Sequence, residues 1–172
     1  MTPAGKAPEE SRLTLSQIMG ATDTNLLGTV HGGVLMRLAD SLAGVVTARH
    51  SGGPTVTVAI DEMVFVTPVQ VGDVLHLHSQ VNWAGTSSME AGVRLMADRW
   101  DRTDLPIHVA SAYLVFVAVD EEGSSRQVPP LLPQTEEERR RFREAEIRRS
   151  HRLARRDAIV SSRAIAPEPA QG

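Results

Sequence analysis

No cysteine occurs among the 172 residues. That excludes a disulfide framework, a thiolate nucleophile and a thiolate zinc site, and it fits a cytoplasmic protein. Aromatic residues make up only 3%, too few for a surface on which successive bases stack. The formal net charge of -3 is too mild for the basic footprint of a nucleic-acid binder. No stretch approaches the roughly 20 apolar residues of a membrane span. The N-terminal segment holds no apolar run of the kind a signal peptide needs. The expectation is a cytoplasmic protein that binds neither nucleic acid nor membrane.

What is present supports one domain. Hydrophobic residues are 41% of the chain, enough for one core and a tail, not for two cores. Charge is unevenly placed. Residues 135–158 hold nine Arg against five Glu and one Asp, a local balance of +3, so the remainder sums to -6.

Residues 1–10, rich in Pro, Ala, Gly and charge, read as a disordered start. Residues 11–18 alternate weakly and give a first short strand. Residues 20–33 are small and polar and form a loop. Val34, Leu35, Leu38, Leu42, Val45 and Val46 then stand at helical spacing, which predicts a helix over about 32–49. Its apolar residues spread over most faces, so it is expected to be buried. Four strand-like runs follow at 55–66, 73–83, 87–98 and 107–119. The last is apolar on both faces, as in a central strand. Turn chemistry separates them: Pro68 with Gly72 and Asp73, then Gly85, then Asp101 to Pro106. Thr135 with Glu138 forms a capping box, so a charged helix is expected over 135–158. Residues 159–172, with Pro167 and Pro169, read as a disordered tail.

A long helix wrapped by one curved antiparallel sheet is an α+β arrangement, here a single domain over 11–134 of the hotdog type. Such a sheet has an open edge strand, and pairing it with a second copy removes that liability. A homodimer is therefore the expected minimum.

The chemistry concentrates between Asn25 and Asp40, in the run NLLGTVHGGVLMRLAD. Gly32 and Gly33 sit where loop becomes helix. The first helical amides lack internal partners and carry the positive end of the dipole. Glycine lets a ligand oxygen approach them closely, which suits an oxyanion hole; a plain helix start with a flexible Gly-Gly is the equally open reading. Asp40 lies mid-helix among Leu35, Leu38, Leu42 and Val45. Aspartate is a poor helix-interior residue, and its apolar neighbours favour a site over a solvated face. Gly32 and Asp40 are eight residues apart, about 12 Å along one helix. Two antiparallel helices across a two-fold axis would bring Gly32 of one beside Asp40 of the other, a site shared between subunits.

The pattern N-x-x-G-x-x-H-G-G-x-L-M-x-x-x-D, followed by Ala48, Arg49 and His50, resembles the acyl-CoA thioesterases of the hotdog superfamily, the group of brain acyl-CoA hydrolase and its short bacterial relatives. TVTVAIDEMVFVTPVQVGD (55–73), GTSSME (85–90), FVAVDEEG (116–123) and VPPLLP (128–133) match further blocks of that family in order. The resemblance spans roughly residues 12–155. It implies hydrolysis of acyl-CoA to fatty acid and CoA without metal or redox cofactor, and a homohexamer built as a trimer of dimers. It implies Asp40 as catalytic carboxylate, either general base or direct nucleophile, and Asn25 as a polar residue holding thioester or water. His31, Gly32 and Gly33 match the group that polarises the carbonyl, though His31 also reads as a satisfied loop histidine. Gly85, Thr86, Ser87 and Ser88 match a turn near the pantetheine and phosphates of CoA. Where the family pattern G-R-[ST]-S-M-E carries Arg, this chain has Thr86, so that phosphate contact is either lost or supplied by Arg94, Arg49 or the Arg-rich tail.

Two other readings share the fold. A hotdog hydratase or dehydratase would use a His with a carboxylate, and His31 keeps that option open. A non-catalytic acyl-CoA sensor would bind without turnover. His76 and His78 form an i,i+2 pair with no third ligand near in sequence, so no metal site is expected.

Overall fold

The computed structural model describes residues 3–101 and 103–165. Five strands form one antiparallel sheet: β1 (Leu13–Ile18), β2 (Thr55–Phe65), β3 (Asp73–Ala84), β4 (Ser88–Arg99) and β5 (Ile107–Ala118), in the order β1-β3-β4-β5-β2. A long helix, α1 (Gly32–Ser51), lies on one face, and a second, α2 (Glu136–Ile165), runs outside the sheet. This is the expected hotdog arrangement of one helix wrapped by one sheet.

Alternation explains the layering. Leu75, Leu77 and Val81 of β3 stand opposite Ala97, Leu95 and Ala91 of β4, and all are buried toward α1. Leu35, Leu38, Leu42 and Val46 form the helix face that meets them. Each fully buried Leu or Val contributes roughly 1.5–3 kcal/mol. β5 is paired on both sides and carries buried Val109, Ala110, Ala112, Leu114 and Phe116, as its two-faced apolarity predicts. Gly44 lies against Phe116 of β5, and its carbonyl accepts from Thr55 Oγ1, so it serves helix–sheet packing. Helix α1 ends on Gly52 in the left-handed region (φ 73°), which glycine adopts without strain.

Three expectations need correction. Residues 3–10 are not a loose start. Lys6 bridges Leu131, its Nζ donates to the Arg49 and His50 carbonyls, and Ala7 and Pro8 are buried. That order depends on partners about 125 residues away in sequence, which composition does not encode. Helix α1 is buried on one face only: Met36, Arg37, Ser41, Val45 and Arg49 are exposed along the other. Helix α2 continues to Ile165, past the expected stop at 158. Residues 1–2 and 166–172, also expected to be disordered, lie outside the described residues.

The capping box is formed: Glu138 N donates to Thr135 Oγ1 and Thr135 N donates to Glu138 Oε2. Helix α2 is then held to the sheet by charge. Arg148 donates twice to Glu90 of β4 and stacks on Tyr113 of β5, 3.6 Å from its centroid. One turn on, Arg152 pairs with Asp61 of β2. Asp61 sits at one of two register shifts in β2, between Ile60 and Glu62.

Both sheet edges remain open in one chain. Edge strand β2 exposes Val56, Val58, Ile60, Val64 and Phe65. The loop before α1 exposes Leu26 and Leu27. A long apolar edge of this kind is a template for strand pairing.

Candidate active site

Helix α1 fixes the site's axis. Its N-cap is His31, with extended backbone (φ -67°, ψ 129°), and His31 Nδ1 accepts from the Gly33 N–H at 2.8 Å. The ring proton of neutral His31 therefore sits on Nε2. A Cβ on Gly33 would lie only 2.9 Å from that nitrogen, so glycine permits the close cap. This corrects the expectation that both glycine amides are free for a ligand oxygen: the Gly33 amide is taken by the cap. The Gly32 N–H has no partner among the described residues. Gly32 lines a cleft of about 320 Å³ together with Val30, Leu35, Phe65, Pro68 and Val69 among others.

Asp40 lies two turns further along, half-buried at the border between the core face and the open face of α1. Its Oδ1 accepts from Thr57 Oγ1 at 2.7 Å. No cation meets it among the described residues. A carboxylate kept only by a hydroxyl is not a structural ion pair. Thr57 stands beside the other register shift of β2, between Thr57 and Ala59, and such irregularities re-aim side chains. Thr55 and Thr57 reach α1 while Val56, Val58 and Ile60 are exposed. Thr57 was missed by sequence reasoning. Its only signal was a hydroxyl in an alternating apolar strand.

Asn25 folds into its own loop. Its Oδ1 accepts from Leu27 N (2.8 Å) and Thr29 N (3.3 Å), and its Nδ2 donates to Thr29 Oγ1 (2.9 Å). These bonds brace the loop that carries Leu26 and Leu27 outward, and one Nδ2 hydrogen is left over. A single helix separates Gly32 from Asp40 by about 12 Å and from Arg49 by about 25 Å. One chain therefore brings together Asp40 with Thr57 and His31 with Gly33, but not Gly32 with Asp40.

The other expected ligand residues lie elsewhere. Gly85, Thr86, Ser87 and Ser88 join β3 to β4: Gly85 N donates to Ser88 O, Thr86 O accepts from Val128 N and Ser87 O from Ala118 N. Arg49 is exposed in the last turn of α1. Arg94 stands between Val93 and Leu95, which face the core, so it points to the opposite face of the sheet from α1. There it lines a cleft under α2 with Glu137 and Arg141. Arg94 is not brought to Asp40 within one chain. Most of the Arg-rich segment is committed to carboxylates, Glu90 and Asp61 included.

His50, at the end of α1, is fully buried, with Nε2 donating to the Pro129 carbonyl at 2.9 Å and Nδ1 unpartnered. Burial pushes its pKa below the ordinary 6.5, against the bond to Pro129. It is a neutral packing residue joining α1 to the segment before α2.

Comparison with known proteins places this geometry. The model of the Thioesterase superfamily matches residues 27–99. The chain is 34% identical over 157 residues to the human cytosolic acyl coenzyme A thioester hydrolase, covering 91% of this chain and 41% of that protein. It thus spans about two fifths of the mammalian relatives. A Bacillus subtilis protein named as an acyl-CoA thioester hydrolase is 36% identical over 137 residues, covering 80% of this chain and 79% of that one. Among solved structures, the Staphylococcus aureus acyl-CoA hydrolase with butyryl-CoA and CoA gives a TM-score of 0.84 at 34% identity, covering 93% of this chain and 96% of that one. That enzyme is also known as three alanine variants, of an asparagine, an aspartate and a threonine separated by 15 and 17 residues. A hexameric acyl-CoA thioesterase gives a TM-score of 0.85 at 34% identity, covering 89% and 97%. The chain belongs to the thioesterase superfamily, among the acyl-CoA thioester hydrolases.

Proposed function

We propose that the protein hydrolyses acyl-CoA to a free carboxylic acid and CoA, at a site completed by a second copy of the chain. The observation that carries this is Asp40: a mid-helix carboxylate that no cation meets among the described residues, oriented by one hydroxyl at 2.7 Å. In support, Asn25, Asp40 and Thr57 have the residue types and the separations, 15 and 17, of the three altered positions in the Staphylococcus aureus enzyme.

The thioester carbonyl oxygen meets the unpartnered Gly32 amide at the positive end of α1, which stabilises the developing oxyanion. Asp40 of the partner subunit either takes a proton from water as it attacks the carbonyl carbon, or attacks that carbon itself. The C–S bond breaks, the thiolate of CoA leaves and is protonated. In the direct route, water then cleaves the mixed anhydride. Thr57 keeps Asp40 aimed, and Asn25 braces the loop and lends its spare N–H. No metal or redox cofactor takes part.

Subunit pairing would run along β2, whose apolar edge is exposed, together with the open stripe of α1 and Leu26 and Leu27. The minimum is a homodimer, and a trimer of dimers matches the hexameric neighbour. His31 is bonded to an amide rather than a carboxylate, which weighs against a hydratase-type His–carboxylate pair. The test is thiol release across saturated acyl-CoAs of increasing chain length, with Asp40→Ala alongside. Saturable release lost in Asp40→Ala is expected. Equal release by both proteins refutes the assignment.

A further inference from the structure

Helix α2 is longer than its own sheet is wide. Near its start, Glu138 pairs with Arg12, which directly precedes β1. Further on, Arg148 pairs with Glu90 of β4, and Arg152 with Asp61 of β2. The helix therefore crosses the sheet from one edge strand to the other. Glu138 and Arg152 are 14 residues apart, about 21 Å of helix. The four strand spacings from β1 to β2 amount to about 19 Å, so the crossing is close to perpendicular. Beyond Arg152 the helix continues to Ile165, about 20 Å past the edge of the sheet.

Every residue of this overhang from Ala154 to Arg163 is exposed. A helical piece so short is marginal in water by itself, and Ile159, Val160, Ser161 and Ser162 are not strong helix formers. Ile159 lies eleven residues beyond Arg148 and seven beyond Arg152, three turns and two, so it continues the sheet-facing side. Val160 lies five turns beyond Phe142, which packs on the core. Both therefore face where more sheet would lie, and both are open to solvent, at 45% and 59%.

The open edge of β2 supplies that sheet when a second copy pairs with it. Val56, Glu62 and Val64 of β2 stand opposite Val117, Tyr113 and Ser111 of β5, on the face where Tyr113 carries Arg148. Val56 and Val64 are about half exposed. Glu62 is exposed and meets no cation among the described residues. Residues 154–165 of the overhang hold three Arg against one Asp. An apolar pair on a positive helix thus matches an apolar pair beside a free carboxylate.

We infer that the last three turns of α2 dock on the outer face of a second copy's sheet, with Ile159 and Val160 packing on the partner's Val56 and the partner's Val64. This rests on the pairing of two copies along β2. Two-fold symmetry sends the other α2 back the opposite way, so the two helices run antiparallel, each over the other's sheet. The helix is then a clamp on the pairing that completes the active site.

Two measurements test this. The first is the dimer dissociation constant of wild type and of Ile159→Glu with Val160→Glu, by analytical ultracentrifugation. Both residues are exposed in one chain, so the variant folds as wild type does. Four half-exposed apolar side chains leave water per dimer, each worth about a threefold gain, so the variant dimer is expected to be roughly a hundredfold weaker. The second uses the absence of cysteine: Ser162→Cys carries a single benzophenone label in a mixture of isotopically light and heavy chains. Light-to-heavy cross-links into residues 55–65 are expected by mass spectrometry. An equally tight variant dimer, or cross-links confined to one chain in a dimeric protein, overturns the docking and leaves pairing along β2 standing. A wild type that stays monomeric overturns both.

Discussion

Replacing Thr57 with valine isolates the bond that orients the carboxylate. Valine keeps the β-branched shape that a strand favours and removes only the hydroxyl. The lost contact is the 2.7 Å donation from Thr57 Oγ1 to Asp40 Oδ1. A hydrogen bond to a charged group is worth about 1.5–3 kcal/mol, and the exposure of this one places it at the low end. About 1.5 kcal/mol corresponds to roughly a tenfold loss. The loss is expected in kcat, with KM for acyl-CoA little changed, because an orienting contact acts on the reacting geometry. Melting temperature should hold within about 2 °C, since Thr57 contributes no buried apolar surface. Thr57→Ser, which keeps the donor, should recover most of the rate. Steady-state thiol release for the three proteins measures this. Unchanged kcat in Thr57→Val, or an equal fall in Thr57→Ser, refutes an orienting role for the hydroxyl.

Two further consequences concern stability. Arg148→Ala leaves the Glu90 carboxylate, only 3% exposed, with Asn82 as its remaining partner; a loss of about 2–3 kcal/mol, or roughly 5–10 °C in melting temperature, is expected by calorimetry, and a shift under 1 °C would contradict it. His50 has its pKa lowered by burial, so the unfolded chain binds more protons than the folded one as pH falls below the ordinary 6.5. Its contribution is whole above that value and is lost as pH drops through the lowered pKa. His50→Gln, which keeps a donor for Pro129, should flatten the fall in melting temperature between about pH 7.5 and 5; an unaltered slope would count against a neutral buried His50.

Much of the fold was legible because its signals are local. The strands begin and end within two residues of their expected bounds, since short apolar runs and the Gly, Pro and Asp turns between them set them. The α1 start at Gly32 and the Thr135–Glu138 cap were legible for the same reason. Two of the misreadings involve partners distant in sequence. The N-terminal segment gains order from Leu131 and the end of α1. The arginines of α2 looked like a cationic tail, because Glu90 and Asp61 lie 58 and 91 residues from Arg148 and Arg152. At the site, Asp40 stood out as a carboxylate in an apolar helix, but Thr57 reaches it only through the irregular register of β2. The capture of the Gly33 amide by His31 depends on the extended N-cap backbone, which the spacing H-G-G does not report.

A site shared between subunits has a direct test in subunit mixing. Gly32→Pro removes the free amide while keeping the helix, because proline is tolerated at the first helical position and His31 already has the extended backbone that a residue before proline requires. Asp40→Ala removes the carboxylate. Each variant alone should be inactive. Co-assembled, half the random dimers pair one of each, and each such dimer holds one intact site, Gly32 from the Asp40→Ala chain facing Asp40 from the Gly32→Pro chain. Recovery of about a quarter of wild-type thiol release is therefore expected. No recovery, with mixed dimers verified by mass spectrometry, would contradict a site built from two chains.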